Sequence, residues 1–437
     1  MTALPESGLV LLKNATVPSS VLPGAAGGEA LQRLDLLIDD GAIAAIHPAG
    51  GAPPGGAAVH DMDGGIVLPA FVDLHTHLDK GHIWPRKPNP DGTWLSALLS
   101  VAEDRERNWA ADDVERRMDF SLRCAYAHGT AAIRTHLDST PPQHEITWEL
   151  FEQMRTRWAG RIELQAVSII GPEVMLDPAA LQAVARQVKA SGGILGGALM
   201  VHPEARQAML AVVEKAGELG LDLDLHCDET GEAESSALRY LADAVIETGY
   251  RGRVVAGHCC VLAVQEETTA MKTIERVAEA GIAVVSLPIC NMYLQDRHNG
   301  NGVRTPRWRG VTLVNELKAA GVPVAIASDN TRDPFYAYGD LDCVEVLREG
   351  ARIIHFDHPQ AAAWEWVRAV GAEPAVIGGF GYEAEIAVGV PADLVLFRAR
   401  NWTELLARPQ SDRIVLRSGR AIDTKLPDFR ELDDLME

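Results

Sequence analysis

The chain has 437 residues, 47% hydrophobic and 23% charged, and a formal net charge of −21. That length predicts one large domain with an accessory one, and the negative balance excludes nucleic acid or an anionic membrane as the main partner. No apolar run reaches the ~18 residues of a membrane span.

The opening "MTALPESGLVLLKN" lacks a basic segment followed by an apolar one, so no secretion signal is expected. Residues 8–17, "GLVLLKNATV", and 34–47, "LDLLIDDGAIAAIH", read as short strands around a Gly/Ala/Pro-rich loop. At the far end "PADLVLFRA" (391–399) and "RIVLRSGRAI" (413–422) have the same pattern. Alternating apolar runs with Asp-Gly or Ser-Gly turns predict a small β unit built from both chain ends, residues 1–64 with 386–437. The closing "DFRELDDLME" reads as a solvated acidic terminus.

Between those ends, residues 65–385 carry recurrent apolar runs: "GIVLPAFVDLH" (65–75), "TAAIRTH" (130–136), "IELQAVSI" (162–169), "GILGGALM" (193–200), "LDLDLH" (221–226), "RVVAGH" (253–258), "IAVVSL" (282–287) and "VPVAIAS" (322–328). Segments such as "EARQAMLAVVEKAGELG" place apolar residues at helical spacing between them and end at glycine. Alternation on this scale predicts an α/β protein with a (β/α)8 barrel. A doubly wound open sheet is the alternative, with no GxGxxG after the first run to support it.

In a barrel, chemistry sits at the C-terminal ends of the strands. The first run ends in His75 and His77, whose two-residue spacing points both imidazoles to one face. The fifth ends in His226, the sixth in His258, and Asp329 follows the eighth. One such histidine would more often be structural, but four histidines and an acid at four ends predict a shared metal site. The six cysteines, Cys124, Cys227, Cys259, Cys260, Cys290 and Cys343, form no CxxC pair, which suits reduced thiols and a cytoplasmic location.

HxH after the first strand, "HCDE" after the fifth, His after the sixth and Asp after the eighth resemble the amidohydrolase superfamily, and within it the cytosine deaminase branch. "RTHLD", "LPICNMYLQDR", "PRWRGVTLVNELKAAG" and "DNTRDPFYAYGD" extend the resemblance along the barrel. It implies a TIM barrel with a small β-sandwich from the chain ends, and one divalent cation, Zn2+ or Fe2+, held by His75, His77, His226 and Asp329 with a position open for water. The fourth run offers no lysine to bridge two ions. Glu229, three residues past His226, is expected to pass a proton to a ring nitrogen. The family implies that His258 orients the attacking oxygen, while Asp329 can move a proton from water to the departing amine.

The expected reaction is hydrolytic deamination of a small amino-substituted N-heterocycle, such as cytosine, a 5-substituted cytosine or isocytosine, with release of ammonia. The alternatives are an aminotriazine aminohydrolase, a cyclic amide or amidine hydrolase on the same site, and a barrel that binds without catalysis. Where cytosine deaminases carry a second aspartate this chain has Asn330, where they carry tryptophan it has Phe335, and their amide-reading glutamine aligns near Gly171. Asn330, Phe335 and Lys80 are therefore the expected substrate-binding residues. Asp73 reads as a solvated or supporting acid, Asp79 and Lys80 as a pair, and His136 and Asp138 as groups that orient ligands. His82, Trp84 and the loop "WPRKPNPDGTW" read as part of a lid. The expected partner is a small heterocycle, with homo-oligomerisation open.

Overall fold

The alternating runs at the two ends of the chain form two small sheets, antiparallel except for one parallel pair, residues 10–13 with 58–61. The computed structural model describes residues 8–24, 29–297, 304–358 and 360–437; residues 1–7, part of the segment read above for a secretion signal, lie outside them. In the N-terminal segment β1 (Val10–Pro18), β2 (Leu31–Asp39), β3 (Ala42–Pro48) and β4 (Ala58–Asp61) make one sheet in the order β3-β2-β1-β4. The β2–β3 turn is Asp40-Gly41, both at positive φ (45° and 82°), as a tight hairpin of this twist requires. A Cβ on Gly41 would stand 3.0 Å from the Ser418 carbonyl oxygen, because the Ser418-Gly419 turn of the C-terminal segment packs against it.

The expected strand at 65–75 divides in two. β5 (Val67–Pro69) pairs with C-terminal strands rather than with the barrel, and β6 (Phe71–Thr76) starts the parallel set. Pro69, which carries no N–H, sits at the division. β5 thus joins the small sheets although it lies past the expected boundary at residue 64.

Seven further parallel strands follow β6: β7 (Thr130–Asp138), β8 (Glu163–Ile169), β9 (Leu195–Leu199), β10 (Leu223–Cys227), β11 (Val254–His258), β12 (Ala283–Ser286) and β13 (Val324–Ile326). They lie in a three-stranded sheet, β6-β7-β8, and a five-stranded one, β13-β12-β11-β10-β9. Single parallel bridges join the two sheets at both seams, Val167 with Ile194 and Thr76 with Asp329. The Thr76–Asp329 bridge brings the first and last strands together at the end that carries His75 and His77. Amphipathic helices cover the outside, among them α1 (Trp94–Asn108) and α2 (Ala111–His128). The chain then returns to the small unit through β14 (Leu394–Leu396), β15 (Ile414–Arg417) and β16 (Arg420–Ala421), in the order β16-β15-β14-β5.

The acidic tail is docked rather than free in solvent. Phe429–Leu435 form a 3-10 helix capped by Asp428. Phe429 stacks on Phe120 of α2 with ring centroids 5.6 Å apart, Leu432 is buried, and Asp434 and Glu431 pair with Arg116 and Arg123. The tail's acids match basic residues on α2, while Leu432 packs with Phe120 and Cys124. Among the described residues no helix is long and apolar enough to cross a membrane.

Candidate metal centre and its cavity

Strand geometry brings the five expected residues to one point. His75 and His77 leave the end of β6, His226 lies in β10, His258 ends β11 and Asp329 follows β13. His226 Nε2 stands 3.1 Å from His75 Nε2 and 3.2 Å from His77 Nε2, and Asp329 Oδ1 is 3.2 Å from His77 Nε2 and 3.8 Å from His75 Nε2. Gly257 makes room for this packing: a Cβ there would stand 2.9 Å from His75 Cε1. His258 and Asp329 hold φ of 68° and 65°, the left-handed region that non-glycine residues occupy mainly where surrounding structure enforces it.

Burial pushes the pKa values of His75, His77 and His226 well below the ordinary histidine range, reinforced by neighbouring imidazoles, so all three are neutral. Both Asp329 oxygens are buried with no hydrogen-bond partner among the described residues, an arrangement that is costly unless something else satisfies the carboxylate. Neutral imidazoles and an unpartnered carboxylate converging within ligand distance of one another fit a divalent cation. Beneath them Asp73 accepts hydrogen bonds from the Ser328 N–H (3.1 Å) and hydroxyl, so it fixes the turn that presents Asp329. It is fully buried, not solvated.

Glu229 lies beside these residues, with a carboxylate oxygen within 4.8 Å of ligand atoms of His258 and Asp329. Its Oε2 accepts from the Trp94 indole N–H at 2.7 Å and its Oε1 from the Asn291 amide at 3.3 Å. Burial, with the nearby Asp329 carboxylate, pushes its pKa up to about 8, so the side chain can carry a proton at neutral pH. His258 Nδ1 faces the same Asn291 amide at 2.9 Å, and its Nε2 has no partner among the described residues. Burial lowers the His258 pKa to about 4.

A cavity of about 380 Å3 opens from these groups. Lys80, Phe335 and Asn330 line it, and it extends to Arg105, Asp138, Gly171 and Glu173. The expected Asp79–Lys80 pair does not form. Asp79 accepts from the Asp138 backbone N–H at 2.7 Å, and the Lys80 ammonium lies 4.4 Å from the Phe335 ring centroid. Asn330 reaches the wall with its side chain already engaged, donating to Asp333 at 2.8 Å and accepting from the Cys290 thiol. His136 packs against His75 with ring centroids 4.0 Å apart, whereas Asp138 pairs with Arg105. Of the expected lid, Trp94 lines the cavity, whereas His82 packs edge-on against Phe120. Trp94, Asn291 and Asp333 were not singled out from the sequence. Asp333 accepts from the backbone N–H groups of Phe335 and Tyr336, and so shapes the loop that carries the aromatic wall.

Residues 97–422 match the model of the Amidohydrolase family. The chain is 54% identical over 434 residues to a pterin deaminase of Rhizobium rhizogenes, covering 99% of this chain and 98% of that one. It is 24% identical to an N-isopropylammelide isopropyl amidohydrolase of Pseudomonas sp., over 83% of this chain and 87% of that one. The fold matches the crystal structure of 5-methylcytosine deaminase from Klebsiella pneumoniae liganded with 5-fluorocytosine, with a TM-score of 0.80 and 24% identity, covering 96% of this chain and 98% of that one. With its histidine and aspartate cluster at the strand ends and the family match spanning most of its length, the chain belongs to the amidohydrolase family.

Proposed function

We propose that this chain is a hydrolytic deaminase of a pterin, acting with one divalent ion, Zn2+ or Fe2+, held by His75, His77, His226 and Asp329. The observation that carries the reading is Glu229 placed beside that cluster, at one end of a 380 Å3 cavity that continues as far as Arg105 and Glu173. Such a cavity suits a bicyclic heterocycle whose amino-bearing carbon lies against the cluster. Isocytosine, among the substrates expected above, is the pyrimidine half of a pterin. The 54% identity to a pterin deaminase supports the same class.

The ion supplies a Lewis acid that makes water nucleophilic near neutral pH. Glu229 passes its proton to the ring nitrogen next to the amino-bearing carbon as the water oxygen adds there. His258 Nε2, unpartnered among the described residues, can hold that oxygen. The first water proton restores Glu229, and Asp329 moves the second to the amine, which leaves as ammonia and yields the 2-oxo heterocycle. Phe335 offers its face to the ring, and the Lys80 ammonium an N–H for the ring carbonyl. Asn330, tied to Asp333 and Cys290, sets the shape of that wall.

We read the eight parallel strands as a closed (β/α)8 barrel over residues 65–385, supported by the bridges at both seams. We read the described residues of 1–64 together with 386–437 as the small β unit, and the pairing of β5 with β14 supports extending it to Pro69. The six buried free thiols support a reducing, cytoplasmic location.

Metal-loaded protein should release ammonia from pterin, more slowly from isocytosine and at least ~10-fold less efficiently from cytosine, and should release isopropylamine from N-isopropylammelide at least ~10-fold less efficiently than ammonia from pterin. Cytosine as the best substrate of that panel would overturn the pterin assignment. Ring opening in place of ammonia release would overturn deamination.

A further inference from the structure

Asn291 lies in "LPICNMYLQDR", to which the sequence assigns no role in the site. It is fully buried on the short helix Pro288–Leu294 that follows β12. Its Nδ2 lies 2.9 Å from His258 Nδ1 and 3.3 Å from Glu229 Oε1, so one amide group contacts both side chains. Its Oδ1 has no partner among the described residues. Gln295, one turn further along, donates to the Glu229 backbone carbonyl at 3.2 Å and fixes the helix against the same segment.

A neutral imidazole carries its proton on one nitrogen, and the partner of the other nitrogen decides which. His258 Nδ1 meets Asn291 Nδ2 at 2.9 Å and Glu229 Oε1 at 3.3 Å; with the amide donating and Glu229 protonated, Nδ1 keeps its lone pair and the ring proton sits on Nε2. We propose that Asn291 is a positioning residue that sets the His258 tautomer, so that His258 offers an N–H donor toward the oxygen adding to the substrate. The same amide fixes Glu229 Oε1, so the proton donor and the oxygen-binding group are held in register by one side chain. This rests on the deaminase reading only for its catalytic consequence; the tautomer is a property of the protein itself.

The test uses zinc-loaded protein labelled with 15N-histidine, with the His258 ring assigned by its loss in H258N. The wild type should show a protonated Nε2 and an unprotonated Nδ1. In Asn291→Asp the carboxylate accepts from the ring, and the proton should move to Nδ1. In Asn291→Leu, which neither donates nor accepts, both patterns should appear. With pterin, Asn291→Asp should lose about 100-fold in kcat with KM changed less than about threefold, as for removal of one preorganised donor. Metal content should be unchanged in both variants. A wild-type proton on Nδ1, or a ring pattern unmoved in Asn291→Asp, would overturn the proposal. So would loss of metal from both variants, which would mark Asn291 as merely structural. If the wild type turns over no heterocycle, the proposed function falls, while the ring patterns still decide the role of Asn291.

Discussion

The indole N–H of Trp94 donates to Glu229 Oε2 over 2.7 Å, joining the first residue of α1 to a carboxyl group three residues past His226. Thr93 caps that helix by accepting from the Ser96 N–H, so the indole is held at a defined entry angle. The bond favours the ionised carboxylate, opposing the burial that raises the Glu229 pKa to about 8. Trp94→Phe keeps the ring and removes the donor. The pKa of Glu229 should then rise further, so the alkaline limb of the kcat profile moves to higher pH, with kcat about 10-fold lower. An alkaline limb that stays in place would separate Glu229 from that titration.

In the proposed site Glu229 is not among the four ligands, so its loss should separate metal binding from turnover. Glu229→Gln keeps the acceptor for Trp94 and removes the proton carrier. Metal content by elemental analysis should match the wild type, with kcat lower by at least ~1,000-fold. Activity within about tenfold of the wild type would sink the assignment.

Removal of the ion should cost stability as well as activity. Both Asp329 oxygens lack hydrogen-bond partners among the described residues, so the apo state leaves a buried carboxylate unsatisfied. Chelation should abolish turnover and lower the unfolding free energy by about 4 kcal/mol relative to protein with free metal at ~1,000 times its Kd. Both should return on reloading with Zn2+ or Fe2+. Equal denaturation midpoints with and without chelator would argue against a bound structural ion. Asp329→Asn should reproduce the apo behaviour in part, because it removes the charge while keeping the shape.

What the sequence made legible follows from its periodicities. His75 and His77 could be read because a strand repeats every two residues, and His226, His258 and Asp329 because each ends or follows an apolar run. The groups that orient them carry no such period. Trp94 starts a helix and Asn291 sits within one, and each reaches Glu229 only through tertiary packing. Asp333 looked like one more acid beside Asp329, yet its oxygens accept from Asn330, Phe335 and Tyr336 and build the loop. The run at 65–75 hid a change of sheet, since Val67–Pro69 and Phe71–Thr76 are equally apolar and only the pairing distinguishes them. The tail was misread because its charge suggests solvent, while Phe429 and Leu432 supply an apolar contact too short to show as a pattern.

That tail is anchored through Arg86, which leads to the last prediction. The Arg86 guanidinium donates to both Asp104 oxygens at 2.9 Å, to Asp113, and to the Leu435 carbonyl at 2.8 Å. Arg117, which also pairs with Asp113, donates to the carbonyls of Asp79 and Gly81 on either side of Lys80. The chain end is thereby linked to the loop that lines the cavity. Arg86→Ala leaves two buried carboxylates short of a partner and should cost about 3 kcal/mol. Deleting residues 428–437 removes the Phe429 and Leu432 contacts but leaves the carboxylates paired, and should cost about 1–2 kcal/mol. Because the two changes share the Arg86–Leu435 hydrogen bond, the double variant should be less destabilised than the sum by about 1 kcal/mol. Urea unfolding of the four metal-loaded proteins measures this directly. Strict additivity would mean that the tail is held by α2 alone and exerts no pull on the Arg86 cluster.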